Sequence, residues 1–114
     1  MTVIQNRLNE RRTSQRYRCH GQLKYTQLTK GIYRDAELVD YSREGLCFKS
    51  NFELKPGNYI FIRVQTESVR TNRTDCDVKA RSVSVVEIKW CNEAHDGHDL
   101  LYLFGAKYLF SDFH

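Results

Sequence analysis

The sequence predicts an all-β protein, built as an antiparallel barrel or sandwich of six or seven strands with little helix. Stretches of alternating apolar and polar residues recur along the chain, as expected for strands with one buried face. Turn residues separate these stretches at hairpin-length intervals. The chain has 114 residues, of which 40% are hydrophobic, so it is long enough for one domain with one modest core.

The first half of the chain contains three predicted strands. Residues 17–26 alternate most clearly, with one face formed by Tyr17, Cys19, Leu23 and Tyr25. A less regular strand follows over residues 32–41. Residues 40–45 are rich in turn-forming side chains, and we interpret them as a turn that leads into a third strand over residues 45–50.

The second half begins with a turn signal, Leu-Lys-Pro-Gly, at residues 54–57. Residues 58–66 then form a fourth predicted strand, because Ile60, Ile62 and Val64 lie on one face of it. The polar residues 68–75 are predicted to form a loop tip.

A β-rich run over residues 77–90 is too long for one straight strand, and the broken alternation at residues 83–86 predicts a bulge or bend there. We expect a hairpin loop over residues 92–99 and a last strand over residues 100–110. The predicted organisation is an N-terminal arm, one β domain and a short tail, at residues 1–9, 10–110 and 111–114.

Composition bounds the location and the chemistry of the protein. No apolar run has the roughly 18–20 residues that a membrane span needs, and the N-terminus lacks the apolar region of a signal peptide. We therefore expect a cytoplasmic protein without membrane partners. Four cysteines are widely spaced and form no Cys-x-x-Cys motif, so we expect free thiols, most of them in strands.

The net charge of +4 is concentrated near the N-terminus. Residues 7–18 contain five arginines and one glutamate, which predicts a flexible, Arg-rich segment before the first strand. Arginine suits bidentate contact with a phosphate or a base edge. A basic run of this kind is also compatible with an ordinary solvated tail.

A second polar stretch, Asp40-x-Ser42-x-x-Gly45, follows about 24 residues later. Its Asp and Ser side chains can bind nearby backbone N–H groups, and glycine tolerates a positive φ, so an ordinary tight turn is one interpretation. The other interpretation is functional. The two stretches then face one anionic, base-bearing ligand across the mouth of a small barrel.

Together the two stretches resemble the PilZ domain family. Arg12-x-x-x-Arg16 and Asp40-x-Ser42-x-x-Gly45 match both halves of the family signature, in order. The resemblance extends through Leu-Lys-Pro-Gly, Val86-x-x-x-Trp90 and the closing Phe-Gly-Ala-Lys-Tyr at residues 104–108, and it covers roughly residues 10–110. It implies a six-stranded antiparallel barrel that binds the bacterial second messenger cyclic di-GMP.

The resemblance also implies the ligand-binding residues, namely Arg12, Arg16, Asp40, Ser42 and Gly45. Arginine can contact phosphate or guanine O6 and N7, and a carboxylate can accept hydrogen bonds from guanine N1–H and N2–H. In the family, an Arg at the position of Arg11 is associated with a stacked ligand dimer, which predicts two ligands per chain. Arg43 and Trp90 are further candidate wall residues, although a tryptophan is more often part of a core.

Other function classes fit the sequence less well. No Ser-His-Asp order or carboxylate pair indicates catalysis, so we expect no enzyme and no cofactor besides the ligand. Cys91, His95 and His98 resemble zinc ligands, but they are only three and fall in a predicted loop, so we expect no metal.

Two binding alternatives stay open, a single-stranded nucleic-acid-binding barrel and a PilZ-like module that binds only protein. The resemblance favours a single-domain cyclic di-GMP receptor. It would change conformation on ligand binding and signal to an unknown effector protein. Members of the family often continue into a C-terminal helix, whereas this sequence ends at residue 114.

Overall fold

The structure, a computed structural model, describes residues 15–71 and 79–110. These residues form strands and no helix. The six strands are β1 (Tyr17–Gln27), β2 (Arg34–Tyr41), β3 (Gly45–Ser50), β4 (Tyr59–Thr71), β5 (Val83–Asp96) and β6 (Asp99–Tyr108). No helix in the described part of the chain is long and apolar enough to cross a membrane.

The six strands close into one antiparallel barrel in the order β1-β2-β3-β6-β5-β4. Pairing of β1 with β4 and of β4 with β5 completes the ring, so the barrel has no free sheet edge along these paired segments. The predicted all-β antiparallel fold is therefore confirmed, with six strands and a barrel in place of a sandwich.

The core lies inside the barrel and follows from the alternation within each strand. Leu23 and Tyr25 of β1 and Ile60 and Ile62 of β4 are almost completely buried, as the sequence predicted. Phe48 of β3 packs against aromatic rings on both sides, with centroid distances of 5.5 Å to Tyr25 and 5.0 Å to Phe104. Burial of these large side chains contributes to the apolar area that stabilises the barrel.

Several predicted boundaries were wrong. Strand β4 continues through Thr71, so residues 68–71 are strand and not loop; residues 72–75 lie outside the described residues. Residues 92–96 and 99 are also paired strand, because β5 and β6 form a long ribbon that turns only at Gly97 and His98. Gly97 has φ of 66°, which lets the chain reverse in two residues. Polar side chains line both segments, and their polarity suggested loops.

The predicted bulge at residues 83–86 was also wrong. These residues pair regularly with β4. The alternation is intact, but it was not recognised because Ser84, a polar residue, takes a buried position and the two valines beside it face outward. The irregularity in β5 lies further along, between Ile88 and Trp90. A second irregularity interrupts the pairing of β2 with β3 between Leu38 and Asp40. Both bulges determine the geometry of the candidate site.

Candidate ligand-binding cleft

The bulge in β2 turns the Asp40 side chain to the outer face of the barrel. Leu38 is buried in the core, and strict alternation would place Asp40 on the same inner face. Val39 is the extra residue, since Leu38 pairs with Phe48 and Asp40 pairs with Cys47. Cys47 lies between two core residues of β3 and is outside the core cluster, so it and Asp40 face outward.

The bulge in β5 likewise turns the Trp90 side chain to the outer face of the barrel. Ile88 is fully buried and pairs with Ala106, whereas Trp90 pairs with Gly105 and is 38% exposed. The indole lies directly on Gly105, because a Cβ atom at that position would overlap Trp90 Nε1 and Cε2. The bulge and the glycine together leave the indole against the backbone of β6 and partly exposed to solvent.

Arg16 immediately precedes β1 and is ion-paired with Asp40, with 2.8 Å between Nη1 and Oδ1. The Asp40 side chain is 19% exposed and that of Arg16 is 43% exposed. The pKa of the neighbouring Cys47 thiol is raised to about 11, mainly by burial and then by the Asp40 charge, and Arg16 offsets part of this rise. The pair therefore borders a poorly hydrated part of the outer face.

The turn between β2 and β3 is held by its own hydrogen bonds. Ser42 donates its N–H to the Gly45 carbonyl at 2.8 Å, and the Ser42 hydroxyl accepts from Glu44 N–H at 3.1 Å. The Ser42 side chain is therefore buried in a role that the tight-turn interpretation predicts. Gly45 does not have a positive φ. Glycine is needed there because a Cβ atom would overlap the Ala106 carbonyl of β6.

These elements enclose a shallow cleft of about 180 Å³ on the outer face of the barrel. Its lining includes four of the predicted site residues: Arg16, Ser42, Gly45 and Trp90. Asp40 adjoins it through the ion pair with Arg16. Segments far apart in sequence therefore meet in one place. The two-stretch hypothesis placed this meeting across the mouth of the barrel, whereas the cleft lies on the outer face.

The remaining predicted residues are placed differently. Arg43 is exposed at the tip of the turn and does not line the cleft. Arg11 and Arg12 lie outside the described residues, as do the N-terminal arm and the C-terminal tail.

Sequence reasoning missed five residues that line the cleft, namely Glu44, Lys89, Gly105, Ala106 and Lys107. Three of them belong to the closing Phe-Gly-Ala-Lys-Tyr motif, which was a usable signal. Lys89 matched no fixed position of a motif. It reaches the cleft only because of the β5 bulge, which the sequence did not predict at this place.

The candidate zinc ligands fall on the β5–β6 ribbon. Cys91 is half-buried in β5, and His95 and His98 are exposed towards the end of the ribbon. Among residues 15–71 and 79–110, no group of three His, Cys, Asp or Glu side chains is arranged to hold a metal ion. Cys19, Cys47 and Cys91 lie in strands, as predicted, and none of the three is in a disulfide; Cys76 lies outside the described residues.

The architecture matches a solved structure. The PilZ domain with c-di-GMP of YcgR from Escherichia coli superposes with a TM-score of 0.56, covering 87% of this chain and 78% of that chain. The fold is that of a PilZ domain. Sequence identity to the YcgR domain is 16%, so the likeness concerns the fold. No family model matches the chain. No curated protein matches it either.

Proposed function

We propose that this PilZ-fold protein is a receptor for cyclic di-GMP and binds it at the cleft beside the Arg16–Asp40 pair. The observation that carries the proposal is the convergence of Arg16, Ser42, Gly45 and Trp90 on one outer-face cleft. The YcgR domain with the same fold is described with c-di-GMP, which supports this choice of anion.

The chemistry of the cleft suits a dinucleotide with two phosphates and two guanines. Arg16 can contact a phosphate or guanine O6 and N7, and Asp40 can accept from guanine N1–H and N2–H. The exposed face of Trp90 offers a surface for stacking a purine. Arg12 would complete the site from the segment before residue 15.

Binding would then be converted into a signal through the Arg-rich segment. The arginines of residues 7–18 repel one another, and the ligand phosphates would neutralise that repulsion and fold the segment against the barrel. This change would create or hide a surface for an effector protein in the cytoplasm. Arg11 would support a second, stacked ligand, which gives a stoichiometry of two per chain.

The first test is calorimetric titration of the full chain with cyclic di-GMP, with cyclic di-AMP and GTP as controls. We expect binding of cyclic di-GMP alone, since Asp40 favours the guanine edge and neither control carries two guanines. Arg12→Ala and Arg16→Ala should abolish binding without unfolding the protein. Lys24→Ala is the matched control for Arg16→Ala, because Lys24 forms a similar ion pair on β1 away from the cleft.

Two outcomes would separate the proposal from its alternatives. If the wild-type chain is folded and does not bind cyclic di-GMP, this result would favour the alternative that the module binds only protein. Binding of oligonucleotides with steep salt dependence would favour a nucleic-acid-binding barrel. Hydrogen exchange of residues 7–17 tests the switch, and unchanged exchange at saturating ligand would contradict it.

A further inference from the structure

Three positively charged side chains line the cleft, and they differ in how far carboxylates already neutralise them. Arg16 is ion-paired with Asp40 at 2.8 Å. The Lys89 ammonium lies 3.6 Å from a carboxylate oxygen of Glu87. Lys107 is exposed and forms no ion pair with any residue of 15–71 or 79–110. Within the described cleft, Lys107 is therefore the cation that is most available to an incoming anion.

The backbone places Lys107 at the cleft. Lys107 pairs with Gly45 across β3 and β6, and Gly45 has no side chain to cover the surface between them. Tyr108 donates its N–H to the Glu44 carbonyl at 2.9 Å, which ties this part of β6 to the β2–β3 turn. Ala106 and Tyr108 are buried, so the intervening Lys107 points outward.

Lys89 reaches the same cleft by a different route. It is the extra residue of the β5 bulge, and it lines the cleft together with Trp90. Its contact with Glu87 reduces the charge that it offers to a ligand, because the Glu87 side chain is only 29% exposed and lies beside it. We therefore rank Lys89 below Lys107 as an anion contact.

We propose that Lys107 binds a phosphate of the ligand, on the side of the cleft that lies across the β2–β3 turn from Arg16. This inference rests on the proposed function, since cyclic di-GMP supplies the phosphates. A lysine ammonium suits this position because it acts as a point charge on a flexible stem and tolerates several phosphate orientations. The ligand is then held between cations on both sides of the turn.

The test compares dissociation constants for cyclic di-GMP among variants of the full chain. Lys107→Met removes the charge and keeps most of the stem, and it should weaken binding about tenfold. Lys107→Arg should stay close to wild type, and Lys89→Met should have an intermediate effect. Lys55→Met is the matched control, because Lys55 is an exposed lysine in the turn before β4, outside the cleft.

Salt dependence separates a phosphate contact from a structural effect. The loss on Lys107→Met should be largest at about 0.05 M NaCl and should shrink at about 0.5 M, where charges are screened. If the wild-type chain does not bind cyclic di-GMP, the proposed function is refuted. Wild-type binding with equal constants for Lys107→Met and Lys55→Met would refute the role of Lys107 alone. So would a Lys107→Arg variant as weak as Lys107→Met.

Discussion

Two ion pairs of similar length lie on the same β1–β2 hairpin in very different surroundings. Lys24 and Asp35 are direct partners in the strand register, 2.7 Å apart, and 80% of the Asp35 side chain is exposed. Arg16 and Asp40 are 2.8 Å apart, but Asp40 is 19% exposed and adjoins a buried thiol and a cleft. Both pairs join a basic side chain to an aspartate. Only the Arg16–Asp40 pair adjoins a candidate site, because the bulge in β2 turns Asp40 towards β3 and the cleft.

Removing each carboxylate in turn should give the largest difference between the two ion pairs. Asp40→Ala should weaken cyclic di-GMP binding about 100-fold, because it removes a charged acceptor for guanine and releases Arg16. Asp35→Ala should leave the dissociation constant within about twofold. Calorimetry measures both. Equal losses for the two variants would show that general charge, and not the cleft, drives binding.

Stability should distinguish the two pairs much less than binding does. An exposed ion pair contributes roughly 0–1 kcal/mol, so Asp35→Ala should unfold within about 1 kcal/mol of wild type in urea. Asp40→Ala should lose only slightly more, because Arg16 stays 43% exposed and can be hydrated once its partner is removed. A much larger loss for Asp40→Ala would mean that the pair holds the barrel together, and its effect on binding would then be structural.

The second bulge offers a test with a smaller expected effect. Gly105→Ala places a methyl group where the Trp90 indole lies, so the ring must move off the sheet. We expect about tenfold weaker binding if stacking on the indole contributes about 1–3 kcal/mol. Trp90 is the single tryptophan, so its fluorescence should change in the free protein and report the displacement directly.

A double-mutant cycle controls for damage to β6. Once Trp90→Ala has removed the indole, adding Gly105→Ala should cost no further binding. If Gly105→Ala weakens binding by the same factor with and without the indole, its effect does not pass through Trp90.

The contrast between the two ion pairs also explains what the sequence could predict. Alternation in residues 17–26 and 58–66 gave the buried faces of β1 and β4, because a strand with one side in the core has a period of two. The Lys24–Asp35 pair lies in the regularly paired part of β1 and β2. The paired motifs around Arg16 and Asp40 indicated which segments meet, and the structure brings these segments together.

The bulges were not predictable in the same way. An extra residue at Val39 or Lys89 leaves no mark in composition, and its position depends on how β2 and β5 fit their neighbours. Alternation from Ile88 would place Trp90 in the core, whereas the bulge exposes it. Lys89 was missed for the same reason. Polar strands such as residues 68–71 were mistaken for loops because their pairing partners are distant in sequence.

The smallest expected effect concerns Cys47, which reports on the Arg16–Asp40 pair from the adjacent strand. Burial and the Asp40 charge raise its pKa to about 11 from the usual 9.0. Asp40→Asn should therefore lower the pKa of the thiol, and Arg16→Ala should raise it. Asp35→Asn should leave it unchanged. The pH dependence of iodoacetamide labelling, followed on the Cys47 peptide by mass spectrometry, measures each shift.

The same pKa difference has a consequence for stability at alkaline pH. A thiol whose pKa is higher in the folded state binds its proton more tightly there, so its contribution is complete below pH 9 and is lost as the pH rises towards about 11. In urea unfolding, the fall in stability over this range should be smaller for Cys47→Ala than for wild type. Parallel curves for the two proteins would show that the thiol is not held in the poorly hydrated place beside Asp40. The Asp40 side chain would then be more exposed to water than its 19% exposure indicates, and its surroundings would resemble those of Asp35.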